Sequence, residues 1–397
     1  MNQLATRSLS DRFATRTNVF GTSIWTDIFS MMELHDDPVY FGDGAPAKEL
    51  LPIDRMREAN QTAWDASALG YGDQKGYAPL REWIVQHVAK RGIQADAENV
   101  VVTSGSTQAL DFACRVMLEP GDAVIVENPT FLGALEIFAT YQVDVIAVDT
   151  DDDGMRMDKL QEALDANPKT KLIYTIPTFQ NPSGSTMPLD RRERMVALAG
   201  EHTVAIFEDD PYGDLRYSGE EIAPIRSLND QVLHFGSFSK TLAPGIRVGY
   251  VIAPTDVTEM ILATREVADI SNDRIMMRTV ARTLEDDYLT GHIQECRDFY
   301  RIRRDAMLAA LEREMPEGVH WSKPDGGFFV WITAPDNIDG HELFRVAAEQ
   351  GTVVFPGKWF DPTGEVSHTV RLSFSTVPDD RIELGIERLG KAIRSLL

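Results

Sequence analysis

The sequence is poor in cysteine and in long apolar runs. Its 397 residues include two cysteines, Cys114 and Cys296, and Cys114 falls on the apolar face of an expected helix, so a disulfide framework has no basis. No run of about 18 apolar residues is present, which predicts that no helix crosses a membrane. The N-terminus, MNQLATRSLSDRF, lacks a basic stretch followed by an apolar one, so we expect no secretion signal and a cytoplasmic protein.

Basic side chains are also scarce. The chain has 39 Lys and Arg against 62 Asp and Glu, a formal net charge of -23. Nucleic acid requires clustered basic side chains, so we expect no nucleic-acid partner. We interpret the acidic excess as a solvated surface that keeps the protein soluble, and adaptation to high salt stays open. The run TDDDG at 150–154 lacks the glutamate of a calcium-binding loop, so we expect a solvated turn there and no metal site.

From about residue 100, short β-rich runs alternate with helical patterns. The nearly continuous apolar runs are typical of strands buried on both faces of a mostly parallel sheet. The expected strands are 100–104, 123–128, 143–149, 171–177, 204–210, 232–238 and 248–254. One intervening helix is expected to begin at Asp190, with Glu193 in a capping-box arrangement. The alternation predicts an α/β fold, with helices on both faces of a seven-stranded sheet.

The length of the chain predicts more than one domain, because single cores stop growing at roughly 250 to 300 residues. Beyond about residue 290 the pattern changes to a long charged helical stretch, two strands and a closing helix, which indicates a compact α+β domain. We therefore expect an N-terminal segment, 1–40, that joins the small domain, a large domain, 41–295, and a small C-terminal domain, 296–397.

Polar residues follow several of the expected strands, where open α/β sheets bind their ligands. SGSTQAL follows the first strand and opens a helix, so its N–H groups favour an anion. Asn181, Asp209 and Lys240 follow or end later strands, and each alone is also compatible with a simple turn. Because successive strand side chains point to opposite faces, Asp209 is expected to point away from Glu208 and Asp210.

The order and spacing of eight segments resemble one family. The chain is similar to pyridoxal-phosphate-dependent aminotransferases of class I/II and fold type I, and most of all to the 2-aminoadipate, kynurenine and aromatic aminotransferase group. The resemblance spans nearly the whole chain and implies a large domain with a mostly parallel seven-stranded sheet and a smaller α+β domain. The segments are YGDQKGYAPLR, SGSTQAL, ENPTFLGAL, FQNPSG, EDDPYGDLRY, SFSKTLAPGIRVGY, KPDGGFFVWI and VRLSFS.

The resemblance assigns the residues around the cofactor ring. Lys240 matches the lysine that tethers pyridoxal phosphate and then moves the proton at the substrate Cα, a task suited to a neutral amine. Asp209 matches the carboxylate that pairs with the pyridine nitrogen. Tyr212 and Asn181 match the groups that hydrogen-bond the phenolic oxygen. Phe131 matches the aromatic side chain stacked on the ring, where relatives often carry tyrosine.

The resemblance also assigns the phosphate-binding residues. Ser106 and Thr107 would offer the N-terminus of a helix, and Ser237, Ser239 and Arg247 would add side-chain donors. Together these groups anchor the cofactor even while the lysine is detached from it.

Other matches concern the substrate and the assembly. Arg371 matches the arginine that binds the substrate α-carboxylate, with Asn181 and Gly44 beside it. Tyr71 matches a tyrosine that reaches the phosphate from the neighbouring subunit, which implies a homodimer with active sites at its interface.

The implied reaction is a ping-pong transfer of an amino group between an L-amino acid and a 2-oxo acid such as 2-oxoglutarate. No second arginine is evident for a side-chain carboxylate. Ile24 and Trp25 lie in an apolar segment that covers the site in relatives, so an aromatic or long aliphatic amino donor is expected. Simple packing against the small domain is the alternative for both residues. The motifs equally allow a carbon-sulfur β-lyase. The effector-binding domain of a MocR-type regulator is disfavoured, because the pattern begins within the first fifty residues and leaves no room for a winged-helix domain.

Overall fold

The computed structural model describes residues 9–21, 23–365 and 368–397. The α-helices, numbered in chain order, are α1 (Ile24–Met32), α2 (Ile53–Gln61), α3 (Ala78–Ala89), α4 (Ser106–Met117), α5 (Leu132–Thr140), α6 (Met157–Ala166), α7 (Leu189–His202), α8 (Ile225–Leu228), α9 (Thr255–Ala268), α10 (Arg274–Thr283), α11 (Tyr288–Glu314), α12 (Gly340–Glu349) and α13 (Asp379–Leu396). Among the residues described, no helix combines the length and hydropathy needed to cross a bilayer.

The β-strands are shorter than the helices. They are β1 (Val39–Tyr40), β2 (Val100–Thr103), β3 (Ala123–Asn128), β4 (Asp144–Asp151), β5 (Gly154–Met155), β6 (Thr170–Thr175), β7 (Ala205–Asp209), β8 (Leu233–Ser237), β9 (Gly249–Ile252), β10 (His320–Trp321), β11 (Phe329–Thr333), β12 (Thr352–Val353), β13 (Phe355–Pro356) and β14 (Thr369–Ser373).

The large sheet has the strand order β2-β9-β8-β7-β6-β3-β4-β5. Neighbours from β8 to β4 run parallel, whereas β9 is antiparallel to β8 and β2. All seven predicted strands are present, so the mostly parallel α/β fold is confirmed. An eighth strand, β5, pairs antiparallel with the end of β4 across the TDDDG turn, where Gly154 has a φ of +82°. Two residues leave no periodic pattern, so the sequence did not predict β5.

The large sheet is buried on both faces because its side chains alternate between them. Val124 and Val126 of β3 pack with α4, α5 and α9, whereas Ile125 packs with α6 and α7 on the other face. Nearer the β2 edge, Val100 and Val102 pack with α3 and α10. The apolar runs of the sequence are thus the middle layer of three.

The remaining strands belong to a smaller α+β unit. An antiparallel sheet has the order β10-β11-β14-β13, and β1 pairs with β12 in parallel. These strands share one apolar cluster with α11, α12 and α13, and Ile28 of α1 is buried in the same cluster. The short helix Thr15–Val19 instead packs against α5 of the large sheet.

Helix α11 runs through the predicted domain boundary. Its residues Leu289 and Ile293 pack in the large-sheet cluster that contains α3 and α10, whereas Cys296, Tyr300 and Met307 pack in the cluster of the smaller unit. The division into 1–40, 41–295 and 296–397 stays a proposal, supported by this change of neighbours near residue 295.

The start of α7 differs from the prediction. The helix begins at Leu189 after Pro188, and no side chain caps it, so the capping box expected from Asp190 and Glu193 is wrong. The buried Arg192 holds this region instead, because its guanidinium donates to the carbonyl oxygen of Met187 at 2.8 Å.

Candidate active site

A cavity of about 680 Å³ lies where the carboxyl ends of β2, β3, β6, β7 and β8 face the smaller sheet. This is the position that open α/β sheets use for ligands. Its lining includes most of the sequence-predicted site residues, namely Gly44, Ser106, Thr107, Phe131, Asn181, Asp209, Tyr212, Ser237, Ser239, Lys240, Arg247 and Arg371. Tyr71 is the exception, because it lies outside the cavity with 86% of its surface exposed.

Lys240 follows β8 and projects into the cavity. Its Nζ donates to the carbonyl oxygen of Gly44 at 2.7 Å and lies 5.7 Å from the centre of the Tyr212 ring. Burial lowers the pKa of Lys240 to about 8, with the charge of Asp43 opposing that shift. About a quarter of such amines are neutral at pH 7.5, so the side chain is suited to attack a carbonyl or to accept a proton.

Asp209 ends β7 and has one satisfied and one free oxygen. The hydroxyl of Tyr174 donates to Oδ2 at 2.8 Å, whereas Oδ1 is buried with no hydrogen-bond partner among the described residues. Burial raises the pKa of Asp209 to about 6, although the Tyr174 hydrogen bond favours the ionised form. A buried unpaired acceptor is costly, so Oδ1 is suited to a cationic N–H donor of a ligand.

The neighbouring carboxylates have separate partners. The carboxylate of Glu208 lies 2.9 Å from His234 Nδ1, and Asp210 forms an ion pair with Arg91 at 2.5 Å. Of the three, only Asp209 lines the cavity. The alternation of side chains along β7 thus separates three consecutive acids, and of these three only Asp209 contributes its charge to the cavity.

The N-terminus of α4 faces a cation. Gly105 precedes the helix with a φ of +84°, and a Cβ there would lie 2.4 Å from a guanidinium nitrogen of Arg247. Arg247 also donates to the carbonyl oxygen of Ser104 at 3.0 Å. The first helical residues, Ser106 and Thr107, line the cavity with their N-terminal N–H groups unused by the helix. The positive φ favours glycine at this position, and the helix N-terminus with the guanidinium favours a phosphate.

Two hydroxyls complete this end of the cavity. Ser237 donates to the Oγ of Ser239 at 2.9 Å, and both residues line the cavity beside Lys240. With the helix N-terminus and the guanidinium, they form a donor set that suits an anion.

Arg371 of β14 reaches the cavity from the smaller sheet. Its Nη1 donates to Oδ1 of Asn181 at 2.9 Å, and Nη2 donates to the carbonyl oxygen of Gly42. The rings of Phe329 and Phe355 lie 4.2 and 4.6 Å from the guanidinium carbon. Burial lowers the pKa of Arg371 to about 10, which leaves it cationic at neutral pH. Its Nε has no partner among the described residues, so this buried cation retains capacity for a carboxylate.

An apolar segment borders the open side. Val19, Phe20, Ile24 and Trp25 line the cavity there, and the Trp25 ring packs edge-on against Phe355 with 6.2 Å between centroids. Ile24 and Trp25 thus lie where the sequence placed possible substrate contacts.

Several residues of the site were missed by sequence reasoning. Tyr174 carried the one available signal, because a tyrosine in a buried strand needs a partner for its hydroxyl. Asp43, Glu136, Phe329 and Phe355 line the cavity without any periodic or positional signal.

Residues 37–389 match the family model described as aminotransferase class I and II. This chain belongs to that family. The aromatic-amino-acid aminotransferase 1 of Thermococcus litoralis is 40% identical over 368 residues, which are 90% of this chain and 88% of that protein. A solved kynurenine aminotransferase of Pyrococcus horikoshii superposes with a TM-score of 0.92 at 39% identity and covers 98% of both chains. The α-aminoadipate aminotransferase LysN of Thermus thermophilus gives a TM-score of 0.90 at 31% identity, over 98% of this chain and 99% of that one.

The resemblance seen in the sequence is therefore confirmed, and the chain is a pyridoxal-phosphate-dependent aminotransferase of fold type I that acts on amino acids and 2-oxo acids. The described residues of the aminotransferase fit this cofactor. The unpaired Oδ1 of Asp209 suits a protonated ring nitrogen, Arg247 with the α4 N-terminus suits a phosphate, and the partly neutral Lys240 suits an aldehyde. No cluster of metal-ligating side chains occurs in the described part of the chain.

Proposed function

We propose that this aminotransferase transfers the amino group of an aromatic or long aliphatic L-amino acid to a 2-oxo acid by a ping-pong mechanism, as a cytoplasmic homodimer. The observation that carries the proposal is the convergence of Lys240, Asp209 and Arg371 on one cavity with an apolar border. An amine, a ring-nitrogen partner and a carboxylate-binding cation are the three groups that the reaction requires.

Lys240 is the proposed tether and proton carrier. Pyridoxal phosphate, when bound, supplies an aldehyde that takes up the amino group and a ring that accepts electrons from the substrate Cα. Lys240 would hold that aldehyde and, once displaced, would take the Cα proton on Nζ. The depressed pKa supports this role, because an amine that titrates near pH 8 both accepts and returns a proton at neutral pH.

The remaining ring contacts follow from the lining of the cavity. Asp209 would hold the proton on the ring nitrogen through its unpaired Oδ1. Tyr212 and Asn181 would donate to the phenolic oxygen, and Phe131 would stack on the ring. Because residue 131 is phenylalanine, it supplies stacking and no hydroxyl.

The anion cradle would hold the phosphate. Ser106, Thr107, Ser237, Ser239 and Arg247 are the proposed donors, and hydrogen bonds to a charged group are worth about 1.5 to 3 kcal/mol each. A few such bonds keep the cofactor in place during the steps in which Lys240 is free.

Arg371 is the proposed partner of the substrate α-carboxylate. Its hydrogen bond to Asn181 and the flanking Phe329 and Phe355 rings hold the guanidinium in one orientation, so little side-chain entropy is lost on binding. Gly44 lies beside it and offers no side chain that would exclude a substrate.

The proposal of a homodimer rests on the exposed side chain of Tyr71. This side chain is 86% exposed, and the nearby Leu69 and Trp64 are 72% and 57% exposed, which is unusual for a surface that faces only water. Tyr71 would donate to the phosphate held by the second subunit.

Mixing two defective variants tests the shared site. Tyr71→Ala and Lys240→Ala should each lose activity, and unfolding and refolding them together should restore about a quarter of native sites, because half of the dimers are hybrids with one intact site. If hybrid dimers form normally but show no activity, the proposal that each site is shared between two subunits is wrong.

The reaction itself is tested by adding single L-amino acids, with no oxo acid present, to the cofactor-loaded protein. Conversion of the absorbance to that of pyridoxamine phosphate, together with release of the matching 2-oxo acid, is expected for aromatic and long aliphatic donors. Lys240→Ala is the control and should not convert. Pyruvate released from a cysteine conjugate while the cofactor spectrum persists would instead indicate a β-lyase.

A further inference from the structure

We propose that Arg216 is a positioning residue that sets the affinity of the enzyme for the α-carboxylate of its substrates, acting through the ring of Phe179. Arg216 is not among the described residues that line the cavity, so it would act without touching the substrate. The inference rests on the proposed function, because it takes Arg371 as the partner of the α-carboxylate. It concerns amino acids and 2-oxo acids alike, since both kinds of substrate carry that carboxylate.

Arg216 is a buried cation whose charge lies over an aromatic ring. Only 8% of the residue is exposed, and its guanidinium carbon lies 4.8 Å from the centre of the Phe179 ring. Nη1 donates to the carbonyl oxygen of Ser218 at 3.2 Å, whereas Nε and Nη2 have no hydrogen-bond partner among the described residues. The carboxylates of Glu221 and Asp325 come no closer than 4.0 Å. Because a desolvated cation over a ring is strongly attracted to it, the contact with Phe179 is the principal interaction of this guanidinium.

Phe179 lies where the large domain meets the smaller unit. It is fully buried, and its φ of +52° is a left-handed conformation that a bulky residue keeps only where its surroundings enforce it. A Cβ on Gly326 or Gly327 would lie 2.4 or 2.6 Å from side-chain atoms of Phe179, so the ring occupies the space that these glycines leave. Arg216 follows β7 in sequence, and its backbone pairs with Gly326 in an antiparallel bridge. The ring is thus enclosed by both parts of the chain.

Two short segments lead from this packing to Arg371. Two residues after Phe179, Oδ1 of Asn181 accepts from Nη1 of Arg371 at 2.9 Å. Two residues after Gly327, the ring of Phe329 lies 4.2 Å from the guanidinium carbon of Arg371. Since Phe179 and Gly327 pack directly on each other, their contact fixes the spacing of the two groups that flank the carboxylate-binding arginine. A displacement of Phe179 would therefore loosen both.

The loop that carries Asn181 also has an anchor on the large sheet. Nε2 of Gln180 donates to Oε2 of Glu127 at 3.1 Å, which ties the loop to β3, whereas Phe179 packs in the apolar cluster of the smaller unit. Loss of the ring contact would leave Asn181 in the site but with more freedom. Ordering Arg371 would then consume part of the binding free energy of the carboxylate. The contacts to the cofactor would be unchanged.

The test compares L-phenylalanine with 2-phenylethylamine, which lacks only the carboxylate, in their reaction with the cofactor of the holoenzyme. The variants are Arg216→Met, which removes the charge, and Phe179→Leu, which removes the ring. Arg55→Met is the matched control, because Arg55 also lies over a ring, that of Tyr288 at 5.2 Å, but outside the cavity. We expect the half-saturating concentration of phenylalanine to rise about tenfold in both variants, with its limiting rate within twofold of native. The reaction of 2-phenylethylamine should not change.

A double substitution tests whether the two residues act together. Arg216→Met with Phe179→Leu should bind phenylalanine no more weakly than Phe179→Leu alone, because both changes remove the same contact. Calorimetric titration of the holoenzyme with 3-phenylpropanoate should show the same tenfold loss without any chemistry. Losses that add in the double variant would contradict the proposed route through Phe179.

A general structural defect would give a different result. Equal effects on phenylalanine and 2-phenylethylamine, or native affinity for 3-phenylpropanoate in folded Arg216→Met protein, would overturn the inference. Should Arg216→Met not fold, Phe179→Leu decides in its place. The proposed function is tested separately by Arg371→Lys: if that variant binds 3-phenylpropanoate as the native protein does, the proposed role of Arg371 itself is wrong.

Discussion

Replacing Tyr174 by phenylalanine removes a single hydroxyl behind the cofactor site. In the native protein that hydroxyl donates to Oδ2 of Asp209 at 2.8 Å, and both side chains are buried. The ring itself packs edge-on against Phe138, with 5.6 Å between centroids, and phenylalanine preserves this contact. The substitution thus isolates the hydrogen bond from the packing.

The expected magnitude follows from the strength of that bond. A hydrogen bond to a charged acceptor contributes about 1.5 to 3 kcal/mol, and one pKa unit corresponds to about 1.4 kcal/mol. The pKa of Asp209, which burial already raises to about 6, should therefore rise by roughly one to two units in the variant. In the proposed site, an Asp209 carboxyl that is protonated at pH 7 would no longer hold a proton on the ring nitrogen, so removal of the Cα proton should slow roughly ten- to hundredfold.

Two measurements check this prediction: the pH titration of the bound cofactor's absorbance, and the single-turnover rate with an amino donor. Tyr141→Phe is the matched control, because Tyr141 also donates to an aspartate, Asp111 Oδ1 at 2.7 Å, but lies outside the cavity. Identical titrations and rates for native protein and Tyr174→Phe would refute the view that Tyr174 keeps Asp209 ionised.

Further predictions concern three other charged groups. Burial lowers the pKa of Lys240 to about 8, so capture of pyridoxal phosphate by the apo-protein should accelerate from pH 7 to pH 9 as the neutral amine accumulates, and a flat stopped-flow profile would contradict this. Burial raises the pKa of Glu127 from 4.5 to about 7. The stability that the protonated carboxyl confers is therefore complete below pH 4.5 and should be lost as pH rises through 7, by about 3 kcal/mol in all. Denaturation of the Glu127→Gln apo-protein should lack this fall in the free energy of unfolding with pH. Arg371→Lys should lower kcat/KM for amino acids about a hundredfold while cofactor affinity holds, because lysine cannot make a bidentate pair; equal losses in both would show that Arg371 serves the fold instead.

The fold was largely predictable because burial leaves a clear pattern in the sequence. β3, predicted at 123–128, has those bounds, since all its residues but the last are buried between two helical layers. The two-residue strands β1, β5, β10, β12 and β13 escaped prediction, because pairing of so few residues depends on distant partners. The start of α7 was misjudged because a buried arginine, rather than a cap, anchors it.

The site residues likewise fall into those with a local sequence signal and those without one. Asp209 and Lys240 follow strands, and the common direction of those strands brings their ends together. Contacts made only when the smaller sheet meets the large one have no local signal: Asn181 and Arg371, hydrogen-bonded to each other, are 190 residues apart in sequence. Asp43 and Glu136 were missed for the same reason, since their relation to the cavity depends on how these distant parts of the chain meet.

Helix α11 has 27 residues, a length of about 40 Å. Because Leu289 and Ile293 pack with the large sheet and the later turns pack with the smaller one, α11 provides no linker at which the two parts could be separated. A split at residue 295 would divide α11 and leave apolar side chains of both fragments exposed to water. A split in the turn Glu285–Asp287 leaves α11 intact, so the C-terminal fragment would carry Leu289 and Ile293 and could pack them against the N-terminal fragment.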